Sequence, residues 1–173
     1  DITLTVCGLG RYTSKWSTAC DRALARLMGY LQLYPDVALE IRGDTGSAVQ
    51  GVDTLGSVTA PEVEGEVMQV RTFHDSDHAG DLATSRSVSG GCTMLLGASG
   101  SRAAIAWSAK TQSCTAISSA EAEVVGGAEA LRRQLLPIAG TLEVVYEMIR
   151  KVTSRLCGDS TSAQAAMLAG ASK

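Results

Sequence analysis

Val67-Met68-Gln69-Val70-Arg71-Thr72-Phe73-His74-Asp75-Ser76-Asp77-His78-Ala79-Gly80-Asp81 is the stretch on which the fold turns. Residues 67–74 are rich in β-branched and aromatic side chains, which predicts a strand that delivers Asp75 at its end. Downstream, Cys92 to Leu96 and Ala103 to Ser108 read as two further strands. They are joined by Gly97-Ala98-Ser99-Gly100-Ser101, the small and turn-prone residues of an antiparallel hairpin. Ser118 then opens a helix, because Ser118-x-x-Glu121 has the spacing of a capping box. Gly126 and Gly127 weaken that helix, and Pro137 and Gly140 are expected to end it. A second helix is expected over Leu142 to Lys151, then a short strand over Val152 to Cys157 that stops at Gly158-Asp159. Thr161 to Ala169 starts a last helix. Strand, strand, strand, helix, helix, strand, helix is a mixed α/β order. No internal repeat is present.

Upstream the pattern differs. Leu24, Leu27, Met28 and Leu31 share one helical face within Ser17 to Leu33, with Ser17 placed as N-cap. Val37, Leu39 and Ile41 alternate with Ala38 and Glu40, as on a short strand. Residues 43–66 then lose both periodicities and gather Gly, Ser, Thr, Asp and Glu. They read as an exposed linker between a helical segment, 1–42, and an α/β domain, 67–173.

Composition narrows the function. At 45% hydrophobic but only 4% aromatic, the 173 residues must build a core from Val, Leu, Ile, Met and many Ala. Residues 1–66 hold five Lys and Arg against nine Asp and Glu, and residues 67–173 hold ten against nine. The chain therefore lacks the strong basic excess of an autonomous nucleic-acid binder. Cys7, Cys20, Cys92, Cys114 and Cys157 include no C-x-x-C pair, which argues against a zinc ribbon or a redox dithiol. Such scattered thiols read as reduced and intracellular. No run approaches the roughly 18 apolar residues of a membrane helix. The absence of an initiating Met and the stop at Lys173 inside a helical pattern give the expectation of a piece of a longer chain.

Asp75 after a strand, Glu121 and Glu123 in the first turns of a helix and Asp159 after a strand are the candidate chemical groups. Carboxylates at strand ends and a helix start converge where sheet meets helix, and hard oxygen ligands suit Mg²⁺ or Mn²⁺. Glu121 and Glu123 cannot serve one ion together, because about 100° per residue turns them roughly 200° apart. Glu121 is already the capping-box acid, so Glu123 takes the ligand role. Asp77 and Asp81 read as turn residues that cap local amides, and Asp159 has an alternative as a helix N-cap. His74 and His78 flank Asp75, but His74 and Asp75 point to opposite faces of a strand, which disfavours zinc. Cys157 reads as a buried strand residue. Arg132-Arg133 and Arg150-Lys151 read as solvated helix faces, with nucleic-acid backbone contact as the alternative.

Five blocks, in order, resemble the Pol polyprotein of copia-type retrotransposons. Asp75-Ser76-Asp77-His78-Ala79-Gly80-Asp81 with Ser85-Arg86-Ser87-Val88-Ser89-Gly90 resembles D-A-D-W-A-G-D…R-R-S-T-S-G of its ribonuclease H domain. Trp107-Ser108-Ala109-Lys110-Thr111-Gln112 resembles W-S-S-K-K-Q, and Ile117-Ser118-Ser119-Ala120-Glu121-Ala122-Glu123 resembles L-S-S-T-E-A-E. Leu156-Cys157-Gly158-Asp159-Ser160-Thr161-Ser162-Ala163 is similar to Y-C-D-N-Q-S-A. Asp1-Ile2, Leu9-Gly10-Arg11-Tyr12 and Ala23 to Leu31 are similar to the end of the family's reverse transcriptase. His78 stands where the family usually has Trp, and Ser160 where it usually has Asn.

The resemblance implies a ribonuclease H-like fold, C-terminally truncated, after a reverse transcriptase tail. It implies hydrolysis of the RNA strand of an RNA–DNA hybrid with two Mg²⁺ or Mn²⁺ ions, Asp75 bridging both and Glu123 and Asp159 each completing one. A further carboxylate is expected beyond Lys173, so weak or absent cleavage is expected of residues 1–173 alone. The setting implied is a cytoplasmic particle or the nucleus, without a membrane. Two other readings stand beside it. An inactive ribonuclease H-like scaffold fits the acidic charge. An unrelated metal phosphoesterase explains the carboxylates but not residues 1–41.

Overall fold

The computed structural model describes residues 2–39, 41, 66–81, 84–97, 102–146 and 151–170. Two helices come first, α1 (Thr3–Gly10) and α2 (Thr18–Leu33). Three strands follow, β1 (Glu66–Asp81), β2 (Arg86–Gly97) and β3 (Arg102–Thr111). Helix α3 (Ser119–Ala130) runs through a π-helical turn, Leu131–Leu135, into α4 (Leu136–Tyr146). Strand β4 (Lys151–Cys157) and helix α5 (Thr161–Leu168) end the order.

The four strands form one mixed sheet in the order β3-β2-β1-β4. β1 pairs antiparallel with β2 and parallel with β4, and β2 pairs antiparallel with β3. The parallel pair needs a crossover, and the helical run from α3 to α4 supplies it. The chain is thus α/β, a mixed sheet flanked by helices. Helix α3 packs on β1 and β2, α4 packs on β4, and α1 lies against β3. Arg11, just past α1, donates to Asp81 Oδ2 at 3.1 Å and also bonds Thr111 Oγ1.

Scarcity of aromatic side chains shapes the core. Its buried apolar members are mostly small, with Ala116, Ala122, Ala130, Ala139 and Ala163 beside Val70 and Leu135. Small side chains let backbones approach closely, and α3 does so through the two glycines that lower its intrinsic helicity. A Cβ on Gly126 would sit 2.2 Å from Ser76 Oγ, and one on Gly127 would sit 3.0 Å from His74 Cε1. Each glycine costs about 1 kcal/mol of helix propensity relative to Ala; close packing on β1 is what that cost makes room for. Between sheet and helix runs a buried polar chain. Thr93 Oγ1 donates to Gln134 Oε1 at 3.0 Å, so in the 2.8 Å Thr72–Thr93 contact Thr72 is the donor. Gln134 Nε2 in turn donates to Ser108 Oγ at 2.8 Å.

Several sequence expectations change. β1 does not stop at His74 but continues to Asp81, so Asp75 lies within the strand. It pairs with Gly90 of β2, and that long antiparallel ladder carries it onward. β2 and β3 are likewise longer than expected, and the residues 98–101 between them lie outside the described residues. Pro137 and Gly140 do not end the helix. Proline removes an N–H and crowds the carbonyl four residues back, here Arg133. The π turn at Leu131–Leu135 widens the ladder at that point, and the helix runs on to Tyr146. No separate helix begins at Leu142, and residues 147–150 lie outside the described residues. Val37, Leu39 and Ile41 are exposed and do not lie in a strand, so their alternation buries nothing. The linker expected over 43–66 lies outside the described residues except for Glu66, which opens β1.

Candidate metal centre

Three elements deliver the three carboxylates. β4 ends at Cys157, opposite Phe73, so among the described residues β1 has no strand partner on that side from His74 onward. Asp75 lies two residues past that last pair and is exposed. Asp159 stands two residues beyond Cys157 and is also exposed. Its neighbour Ser160 takes the N-cap of α5, accepting from Ala163 N at 3.2 Å. That frees the Asp159 carboxylate from capping. Glu123, on α3, is 6% exposed and closes the inner side. One ligand oxygen from each of Asp75, Glu123 and Asp159 lies within 4.8 Å of the others, the separation at which one cation can be shared.

The start of α3 explains why Glu123 points inward. Ser118 Oγ accepts from Glu121 N at 3.1 Å, and Glu121 Oε2 accepts from Ile117 N at 2.7 Å. This reciprocal capping commits Glu121 to the helix end. Glu123, roughly 200° further round the helix, therefore faces β1. There the Ser76 N–H is shared between Asp75 Oδ1 at 2.9 Å and Glu123 Oε1 at 3.1 Å. Gln112 secures the same turn, since its Nε2 donates to Ala122 O at 2.8 Å and to Ser89 Oγ at 2.7 Å.

Electrostatics marks the cluster as uncompensated. Burial raises the Glu123 pKa, the Ser76 N–H opposes that rise, and Asp75 and Asp159 add to it. Glu123 Oε2 is buried with no hydrogen-bond partner. A buried carboxylate oxygen without a donor, beside two further carboxylates, calls for a cation. Three carboxylates so placed are a donor set that can hold a metal ion.

The remaining sequence candidates fall elsewhere. Asp77 is exposed and folds against Gly80, where a Cβ would meet its Oδ2. Asp81 is buried and bound by Arg11 and by Thr84 Oγ1, the latter at 2.8 Å. His78 Nε2 lies 3.1 Å from Ala116 O. Cys157 is half-buried, and burial raises its thiol pKa, as suits a strand residue and not a nucleophile. Arg132 and Arg133 are exposed and both bind Glu129. With Lys110 they line a groove of about 290 Å³ between β2, β3 and α3. That groove includes Gly90, the partner of Asp75, so it opens one strand away from the carboxylates. Arg150 lies outside the described residues, as does the side chain of Lys151.

Sequence reasoning missed Ser76, Gln112 and His74. Nothing in spacing points to a backbone N–H or to a glutamine in a connecting loop. His74 left a signal, since strand alternation places it inward, opposite the exposed Asp75. Among the described residues, no helix is long and apolar enough to cross a membrane. Comparison with family models, with curated proteins and with solved structures finds no match for this chain.

Proposed function

We propose that residues 67–173 form the ribonuclease H-like domain of a copia-type Pol polyprotein, preceded by the tail of its reverse transcriptase, and that it hydrolyses the RNA strand of RNA–DNA hybrids. The observation that carries this reading is the meeting of Asp75, Glu123 and Asp159 beside a mixed sheet, just past the end of the β1–β4 pairing. These are the three positions at which the resemblance puts the ligands. Asp75, Glu123 and Asp159 hold Mg²⁺ or Mn²⁺, which when bound supplies positive charge for a phosphodiester and lowers the pKa of water.

The chain's own residues divide the remaining work. Ser76 N–H holds Asp75 and Glu123 in a common orientation. Asp75 and Asp159 face solvent, where a phosphodiester approaches, and Glu123 forms the floor. Lys110, Arg132 and Arg133 offer backbone contacts along the adjacent groove. Recognition then rests on shape and 2′-OH groups, not on base sequence.

The test is Mg²⁺-dependent release of fragments from a labelled RNA–DNA hybrid, with duplex DNA, duplex RNA and the Asp75→Asn variant as controls. Cleavage of the hybrid alone, lost in Asp75→Asn, supports the proposal. Equal activity in both proteins removes Asp75 from the site. Because weak or absent cleavage is expected of residues 1–173 alone, the scaffold reading, to which the net charge of −3 already lends weight, is favoured only if a folded, Mn²⁺-binding protein extended past Lys173 also fails to cleave.

A further inference from the structure

His74 lies against each of the segments that carry the carboxylates. It precedes Asp75 on β1 and turns inward, its side chain 6% exposed. Its Nδ1 lies 3.5 Å from Glu123 Oε2, too long for a good hydrogen bond, and both atoms are buried without hydrogen-bond partners. Contact sets the place of the ring. A Cβ on Gly127 of α3 would lie 3.0 Å from His74 Cε1, and one on Gly158 would lie 2.6 Å from His74 Nε2. Gly127 belongs to the helix that carries Glu123, and Gly158 immediately precedes Asp159. The ring is a spacer seated between two glycines.

We infer that His74 is a positioning residue, whose imidazole sets the spacing of Glu123 and Asp159 around Asp75 and presents Nδ1–H to Glu123 Oε2. The proposal rests on the reading of the three carboxylates as a metal site and assigns His74 no place among the ligands. Orienting donors behind ligands of this kind typically contribute about 10–100-fold to metal affinity. Only a donor at the Nδ1 position faces Glu123, and only the far edge of the ring faces Gly158, so the two functions separate.

The experiment measures Mn²⁺ binding to the whole chain by calorimetry, with the Mn²⁺ electron paramagnetic resonance line shape as a second readout. His74→Leu fills the space without a donor and should weaken Mn²⁺ binding by about 10–100-fold. His74→Asn places an N–H donor where Nδ1 stands and should bind to within a few-fold of wild type, with the wild-type line shape. Gly158→Ala should weaken binding by pushing on the ring. The same change in a His74→Asn background should be harmless, because the ring edge that it strikes is gone. Should His74→Leu fail to fold, the two Gly158→Ala proteins decide. Equal loss from Gly158→Ala in both backgrounds overturns the inference, as does wild-type affinity in folded His74→Leu. Loss of Mn²⁺ binding in Asp75→Asn alongside normal binding in the His74 variants overturns the role of His74 and leaves the metal site standing. No Mn²⁺ binding by the wild type overturns both.

Discussion

Two polar clusters lie where α3 and its π-turn continuation cross the sheet, and they are built on opposite rules. In the first, Thr72, Thr93, Gln134 and Ser108 pass hydrogen bonds from strand to helix and back, without charge and with Thr72 and Thr93 fully buried. In the second, Asp75, Glu123 and Asp159 bring three carboxylates together, the Ser76 N–H serves only the first two, and Glu123 Oε2 has no hydrogen-bond partner. The first cluster spends every polar atom on folding. The second leaves charge uncompensated in a buried setting, which costs stability unless something from outside supplies the missing donors or cations. Polar groups retained at a cost are where function is sought.

Substitutions in the two clusters should therefore move different observables. The largest effect is expected at the carboxylates. Asp75→Asn, Glu123→Gln and Asp159→Asn each keep side-chain volume and remove a charge from the ion. With several kcal/mol of charge stabilisation at stake, each should lower hybrid cleavage by roughly a thousand-fold or more. Unfolding should show no loss of apo stability, since repulsion between like charges is relieved. Marked destabilisation of the folded apo protein by Asp75→Asn would place that residue with the structural cluster.

Thr93→Val should do the reverse. It keeps the shape but strands Gln134 Oε1, at a cost of about 1–3 kcal/mol in denaturant unfolding. Mn²⁺ affinity should be unchanged. A large loss of Mn²⁺ binding with little change in stability would merge the two clusters into one.

Glu121 is the carboxylate nearest in sequence to the site that geometry assigns to folding. Glu121→Ala should cost about 0.5–1 kcal/mol, the size of a lost capping interaction, and leave Mn²⁺ binding intact. Weakened binding in a stably folded Glu121→Ala protein would break the division between the two glutamates.

The smallest effect is carried by its sign. The pKa of Glu123 is raised in the folded state, first by burial. The folded protein therefore binds more protons than the unfolded one between the ordinary glutamate value and the raised one. Apo stability contributed by this group is highest below that window and is lost as pH rises through it. Glu123→Gln should flatten that part of the stability profile, and Mn²⁺ should offset the loss on the high-pH side. His74 works in the opposite direction: its lowered pKa removes stability as pH falls below about 6.5. The two contributions separate in the Glu123→Gln protein. A wild-type profile that persists in Glu123→Gln would remove Glu123 as its source.

Local rules were enough for much of the site. The choice of Glu123 over Glu121 follows from helical angle and a capping box, and both features hold in the structure. Strand alternation put His74 and Asp75 on opposite faces, which argued against zinc and agrees with one side chain being buried and the other exposed. Alternation did not show what lay beneath His74, because Gly127 and Gly158 are far from it in sequence. The same limit hid the purpose of two glycines and the effect of a proline. Gly126 and Gly127 read only as weak points in the helix until β1 is placed against them. Pro137 looks like a terminus until the π turn before it is seen.

Residue type and short-range spacing by themselves determined the α/β order, the start of α3 and the small-residue character of the core, since each depends on interactions within a few residues; the set of three acids came from the family resemblance. Only the tertiary structure decided that β1 runs on past Asp75, that its pairing with β4 stops before Asp75, and that one amide serves two carboxylates. Those features arise where segments distant in the chain meet, and pairing there is set by the packing of whole surfaces, which no local pattern encodes.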